Sequence, residues 1–167
     1  MDVYCEFTGL RSDGRRPNEM RLVEANIGTT PGCTGSHFKI GQTEVIAQIF
    51  GPRDNRSGDN MAEIKVSFEF ADFAKAPHPS DKSISRRGKE SEVILKRTFE
   101  AAIKRDIYPH SEILIAITII QDDGGAQSAA INAATLALID AGIPMSDFVV
   151  SLTAALYEDK CFLDAGR

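Results

Sequence analysis

Residues 112–145 read EILIAITIIQDDGGAQSAAINAATLALIDAGIPM, and three patterns succeed one another within them. Glu112 to Gln121 is isoleucine-rich and almost uniformly apolar over strand length, as a strand covered on both faces would be. Asp122-Asp123-Gly124-Gly125 is a turn. Ala126 to Ala141 then predicts a helix of many alanines mixed with Ile131, Leu136, Leu138 and Ile139, with little polar face. Small side chains permit close backbone approach, so this is the expected central, buried helix. Gly142 follows as a C-cap, with Pro144 just beyond.

Upstream, Leu95, Phe99, Ile103 and Ile107 recur every four residues and predict a helix from about Arg87 to Asp106, stopped by Tyr108-Pro109. Ile64, Val66, Phe68 and Phe70 alternate with Glu63, Lys65, Ser67 and Glu69, a strand with one wet face. Between them, Asp72 to Ser85 carries Pro77, Pro79 and several charges and reads as a long mobile loop. Ser36–Ile40 and Thr43–Phe50 flank Gly41-Gln42 at hairpin spacing; Gly51-Pro52 ends the hairpin, and Arg53 to Asn60 is a charged loop. Met20 to Ile27 suggests another strand, its alternation broken at Leu22-Val23. The first ten residues read as irregular, and Arg11 to Pro17 as a polar, basic, turn-prone segment.

Downstream, Asp147 to Tyr157 reads as a last strand. The order of four strands, helix, strand, helix, strand predicts one α+β domain over residues 1–167, a mixed sheet backed by two helices.

The chain has 167 residues, 43% hydrophobic and 26% charged, which excludes wholesale disorder. Its 19 basic and 24 acidic side chains give a net charge of −5, which excludes a uniformly basic coat but not a local patch. The longest apolar run, Ile113 to Ile120, falls well short of the ~20 residues that span a bilayer, so no membrane partner is expected. The N-terminus lacks the basic start and apolar core of a secretory signal. Cys5, Cys33 and Cys161 are scattered and form no Cys-x-x-Cys pair, so they read as reduced intracellular thiols. No metal site is expected.

Neither His37, His78, His110 nor any cysteine sits in a nucleophile or metalloprotease motif. Two features carry more chemistry. Backbone amides at Gly124-Gly125, where a helix begins, can hold a phosphate; equally, the pair serves as a tight turn with Asp123 as N-cap. Arg11, Arg15, Arg16 and Arg21 form one basic cluster, and Lys82, Arg86, Arg87 and Lys89 another, ahead of the first helix. Cations at a helix entrance oppose its dipole, which points to an RNA- or phosphate-contacting rim; a solvated loop with scattered charge is the alternative.

Together these residues resemble the ribonuclease PH family. Arg11-Ser-Asp-Gly-Arg-Arg16 is similar to its opening motif, and Gly41-Gln-Thr-Glu-Val45 with Gly51-Pro52 to its first hairpin. Leu95 to Ile103 resembles its first helix; Asp123-Gly-Gly125, Asn132 to Ala137 and Asp140 to Met145 resemble its second helix and cap. The likeness leans toward RNA exosome ring subunits rather than the bacterial enzyme. It implies a ribonuclease PH-like fold, placed around a six-membered ring with other such subunits, and single-stranded RNA in a central channel. It also implies a role in RNA processing and degradation, ribosomal RNA maturation included, in the nucleus (with nucleolus) and cytoplasm.

Active members of the family cleave RNA from the 3′ end with inorganic phosphate as co-substrate and no other cofactor. The resemblance assigns RNA or phosphate contacts to Arg86, Arg87, Gly124 and Gly125, and the acid to Asp164. After the double glycine, active members carry a hydroxyl residue and an arginine, where this chain has Ala126 and Gln127; Ser128 is the nearest hydroxyl. A second family aspartate, six residues after the first, would fall beyond Arg167, as would further strands and a final helix. The expectation is a shortened, non-catalytic channel subunit, with an active phosphorolytic 3′–5′ exoribonuclease as the alternative.

Overall fold

The computed structural model describes residues 4–5, 9–28, 34–55, 60–74, 81–157 and 160–166. Its strands are β1 (Tyr4–Cys5), β2 (Leu10–Arg11), β3 (Val23–Ile27), β4 (Thr34–Ile40), β5 (Thr43–Asp54), β6 (Glu63–Phe70), β7 (Ser111–Gln121), β8 (Ala154–Tyr157) and β9 (Lys160–Leu163). The helices are α1 (Asp81–Ala102) and α2 (Ala126–Asp140). Five strands form the main sheet in the order β3-β4-β5-β7-β6, antiparallel except for the parallel β6–β7 pair that α1 connects.

Register puts the apolar sets in line. Phe38 pairs with Val45, Val45 with Ile119, and Ile119 with Phe70, so one sheet face carries the core. On that face Val45, Ala47, Ile64, Ile113, Ile115, Ile117 and Ile119 are at most 1% exposed, under both helices. The opposite face, with Ile46, Phe50, Leu114 and Ala116, is only half-buried and carries neither helix. The expected two-sided cover of β7 is therefore one-sided: its sequence is apolar throughout, but both helices pack on one side.

α1 buries Leu95 and Phe99 of the predicted four-residue stripe, and Gly88 as well. Its bounds differ from expectation at both ends. It begins at Asp81, since nothing after Pro79 breaks a helix; the expected loop is reduced to a 3₁₀ turn at Asp72–Ala74, and residues 75–80 lie outside the described set. It stops at Ala102, ahead of Tyr108-Pro109, because the chain after α2 takes over its end. The Ala102 carbonyl accepts Ser146 N at 2.8 Å, and the Pro144 carbonyl accepts Lys104 N at 3.1 Å. Ile107 thus leaves the helix and is half exposed.

Smaller corrections follow the same logic. β5 runs through Gly51-Pro52 to Asp54 across a register shift, since its partner β7 is longer than the hairpin; residues 56–59 of the expected loop lie outside the described set. Met20 to Leu22 are not strand, and β3 is an exposed edge. The opening residues include the short β1–β2 pair.

α2 is buried from Ser128 through Ala134, Asn132 only partly, and is the central helix foreseen. Ser36 Oγ donates to the Ala133 carbonyl at 2.6 Å, an approach that alanine permits. The C-terminus closes as a Schellman motif: Gly142 N donates to Ile139 O at 3.0 Å and Ile143 N to Leu138 O at 3.1 Å.

On its far side α2 carries Ser128, Asn132 and Thr135, spaced so that they share one face. They meet alternate residues of an extended segment. Asn132 exchanges bonds of 2.9 and 2.8 Å with the Ser151 backbone, Thr135 Oγ1 donates to Val149 O at 2.7 Å, and Ser128 Oγ lies 2.9 Å from Thr153 Oγ1. The last strand expected at Asp147–Tyr157 is thus strapped to helix side chains up to Thr153, and pairs as β8 with an unforeseen β9.

Replacing Asn132 with alanine strips both partners from the Ser151 backbone. The expected cost is about 1–3 kcal/mol in urea unfolding, with faster hydrogen exchange at the Ser151 amide. An unchanged midpoint and exchange rate would refute the strap.

Candidate functional site

At the end of β7 the chain must turn sharply into α2, and two glycines take it there with φ of 90° at Gly124 and 72° at Gly125. A side chain at Gly124 would be strained and would also press on the Gly166 backbone, 2.9 Å from the Cβ position. Asp122 Oδ1 accepts Gly124 N at 3.0 Å, and buried Thr43 bridges the turn: it donates to Gly124 O at 2.8 Å and accepts Asp123 N at 3.0 Å. The N-cap is Gly125, with no side-chain cap bond, not the expected Asp123. The first-turn amides of α2, at the positive end of its dipole, are left uncapped by any side chain.

This end of α2 opens on a cleft of about 440 Å³ whose other walls are the end of β6 (Phe68, Phe70) and the second turn of α1 (Arg87). Gln127 lies on its lining, and the two phenyl rings meet edge-to-face at 5.4 Å. Because α1 starts at Asp81, Arg86 and Arg87 sit more than a turn inside the helix rather than ahead of it, which relieves the expected conflict with the dipole. Arg86 pairs with Glu90 at 3.0 Å, both in water, so the pair contributes little. Arg87 is exposed and has no ion pair among the described residues. The lining also includes Glu90, which Arg86 pairs, and Asp122, so the arginine charge at the cleft is balanced by carboxylates.

Beneath the turn lies a second charge cluster. Asp164, only 2% exposed and in the left-handed region (φ 52°), ends the β8–β9 hairpin. Its Oδ2 accepts Arg21 N at 2.9 Å, Arg21 Nε at 2.8 Å and Arg15 Nη1 at 3.1 Å, and Oδ1 accepts Arg21 Nη2 at 2.7 Å. Arg21 reaches on to Asp123 O at 2.9 Å and Gly124 O at 3.1 Å. Burial pushes the Asp164 carboxyl up, but bonds and charge from Arg21 and then Arg15 more than offset it and hold it below its usual value. The same bond to Asp164 raises the Arg21 guanidinium against the effect of burial.

The first basic cluster is therefore mostly not a rim. Arg21 and Arg15 clasp Asp164, while Arg11 is buried, donates to Leu163 O at 2.6 Å and lies 5.3 Å from the Phe162 ring centroid. Of that cluster only Arg16 stays exposed.

The structure brings Arg87, Gly124 and Gly125 together at the cleft, with Arg86 on the adjoining helix surface. Ser128 is buried behind the turn, donating to Gly125 O at 2.8 Å, and Asp164 lies beneath it; neither lines the cleft. Sequence reading missed Thr43 and Arg21 as holders of the turn; the only local signals were Thr43's place in the Gly41–Val45 motif and Arg21's in the basic cluster.

His37 pairs with Glu44 at 2.7 Å on the open sheet face, and His110 occupies a left-handed turn. His78 lies outside the described residues. Among the described residues no group of three or more His, Cys, Asp or Glu could hold a metal, and no helix is long and apolar enough to cross a membrane.

Residues 19–144 match the model of the 3′ exoribonuclease family, domain 1. The chain is 41% identical to an Arabidopsis thaliana exosome complex component RRP41 homolog, covering 96% of this chain and 69% of that protein. It is 37% identical to exosome complex component ski6 of Schizosaccharomyces pombe, covering 93% and 66%. To human exosome complex component RRP41 the identity is 35%, again covering 93% and 66%. The chain thus spans about two thirds of the length of these curated relatives.

Among solved structures, rice Rrp46 superposes with a TM-score of 0.81 at 27% identity, over 93% of this chain and 73% of that one. An Archaeoglobus fulgidus exosome chain gives 0.75 at 21% identity, over 96% and 72%, a likeness of fold. The mixed sheet with its two helices is the ribonuclease PH-like fold.

The Asp164 clasp sets a pH dependence. A carboxyl held below its unfolded value stabilises the fold above the ordinary carboxylate range, and that contribution is lost as pH falls through the folded value. Asp164→Asn is expected to cost about 3–5 kcal/mol at pH 7, since it strips Arg21 and Arg15 of their shared buried carboxylate and leaves the largely buried Arg21 only the part-exposed Asp123 carboxylate at 3.2 Å. In urea titrations the gap from wild type should stay level down to about pH 5 and narrow below pH 4. A gap that widens on acidification would rule this out.

Proposed function

The chain belongs to the 3′ exoribonuclease family, and on that premise we propose that it is an RNA exosome core ring subunit. In this reading it sits beside other ribonuclease PH-like subunits, helps form the RNA channel, and does not itself cut. Its partners are those subunits and single-stranded RNA, with no membrane or cofactor; its work is 3′–5′ RNA processing and degradation, ribosomal RNA maturation included. Its places are the nucleus, with the nucleolus, and the cytoplasm. The names of its relatives, exosome complex components, support this assignment.

The non-catalytic reading rests on one observation, the make-up of the cleft: Ala126 and Gln127 follow the glycines, and Arg87 is the one arginine on a lining that also carries Glu90 and Asp122. Attack by phosphate needs charge stabilisation where the anion sits. Bonds to charged groups are worth about 1.5–3 kcal/mol each, so a missing hydroxyl and guanidinium remove roughly two to four orders of magnitude in rate. Asp164 offers no compensation, since a general acid must carry a proton and this carboxyl is held ionised by two arginines. Arg87 contacts the RNA backbone, with Arg86 beside it.

The alternative, an active phosphorolytic enzyme, has one observation in its favour, the uncapped start of α2. The two readings part in a single experiment: the subunit assembled in its ring, given RNA and inorganic phosphate. The proposal expects no nucleoside diphosphate release attributable to this subunit. It also expects Arg87→Ala to weaken RNA binding and lower the slope of log K against log salt by about one. Steady diphosphate release abolished by Arg87→Ala would establish the enzyme instead.

A further inference from the structure

We propose that Phe73 is a base-stacking platform for single-stranded RNA at the mouth of the cleft, an assignment that rests on the RNA-binding reading above. Phe73 is 77% exposed on the 3₁₀ turn Asp72–Ala74. The turn is tied in place: Ala71 N donates to Ile119 O at 3.0 Å, and Ala74 N to Ala71 O at 2.9 Å. Ile119 is three residues before Asp122, so the ring is anchored at the sheet end where the Gly124-Gly125 turn opens.

Phe68 and Phe70 already line the cleft, and three residues of chain carry the backbone at most about 11 Å past Phe70. Phe68 and Phe70 are thus on the cleft wall, and Phe73, off its lining and in solvent, follows them within that short reach of chain. α1 presents the exposed Arg87 on another wall of the same cleft.

Rings combined with cations are what surfaces for single-stranded nucleic acid are made of, because every base has a π-face to stack and every linkage a charge to meet. Here the balance favours the ring. The chain carries a net charge of −5, and Arg87 shares the cleft lining with Glu90 and Asp122, so Coulomb attraction is weak and affinity needs a contribution that salt does not screen. Stacking supplies it and tolerates any base.

The chain contains no tryptophan, so Phe73→Trp installs a unique fluorophore at the proposed contact. The full chain would be titrated with fluorescein-labelled oligouridylate and oligoadenylate at several salt concentrations. The tryptophan of the Phe73→Trp variant should be quenched by unlabelled single-stranded RNA, and that variant should bind as tightly as wild type or tighter. Phe73→Ala should lose ~5- to 150-fold in affinity with an unchanged salt slope, whereas Arg87→Ala should change the slope. Unquenched emission at saturating RNA, or wild-type affinity in Phe73→Ala, while Arg87→Ala still weakens binding, overturns this assignment and leaves the RNA reading standing. No binding by the wild-type chain at low salt overturns both.

Discussion

The guanidinium of Arg21 holds together three parts of the chain that are far apart in sequence. It reaches the Asp164 carboxylate that closes the β8–β9 hairpin, and the Asp123 and Gly124 carbonyls of the turn that starts α2. Arginine suits this place because its donors leave in a fixed fork and its charge cannot be titrated away. Gly41 makes room for it, since a Cβ there would run into the Arg21 side chain. The partly buried ion pair is tolerable because each Asp164 oxygen is bonded, so neither charge is left unmet as it leaves water.

The same economy of contact governs α2. Its alanines let the sheet come close enough for Ser36 to bond a helix carbonyl, and its polar residues lie in one stripe that fastens the 149–153 segment. A helix gripped from both sides gives the Gly124-Gly125 turn a rigid base. The cleft inherits that rigidity on one wall and from α1 on another. It is lined by an exposed arginine, phenyl rings, an amide and two carboxylates, the groups on which the proposed RNA contact draws.

Much of the fold was legible because it rests on periodicity. The four-residue spacing of Leu95 and Phe99 and the alternation of Ile64 and Phe68 report burial directly, while the apolar run at 112–121 marked a strand but not that only one of its faces is covered. Element ends were less legible. Nothing near Ala102 announces that Pro144 and Ser146 will bond the end of α1, and nothing near Phe50 says that β7 extends far enough to pair Arg53 and Asp54. At the site, Arg87 and the double glycine were singled out by charge clustering and by their place at helix starts, and the resemblance assigned their roles. Arg11, Arg15 and Arg21 looked like a surface patch because charge in a sequence carries no sign of whether a counter-charge waits 140 residues away.

The sequence by itself determined the α+β class, the hairpin, the central helix, the position of the glycine turn and the family likeness. These depend on local spacing and on short motifs whose backbone needs are local. Only the tertiary structure decided which cations are enclosed and which meet solvent, that Asp164 is clasped beneath the turn, and that α2 begins uncapped. Those outcomes are set by long-range pairing of groups whose solvation cost must be met together, and no stretch of the chain contains both partners.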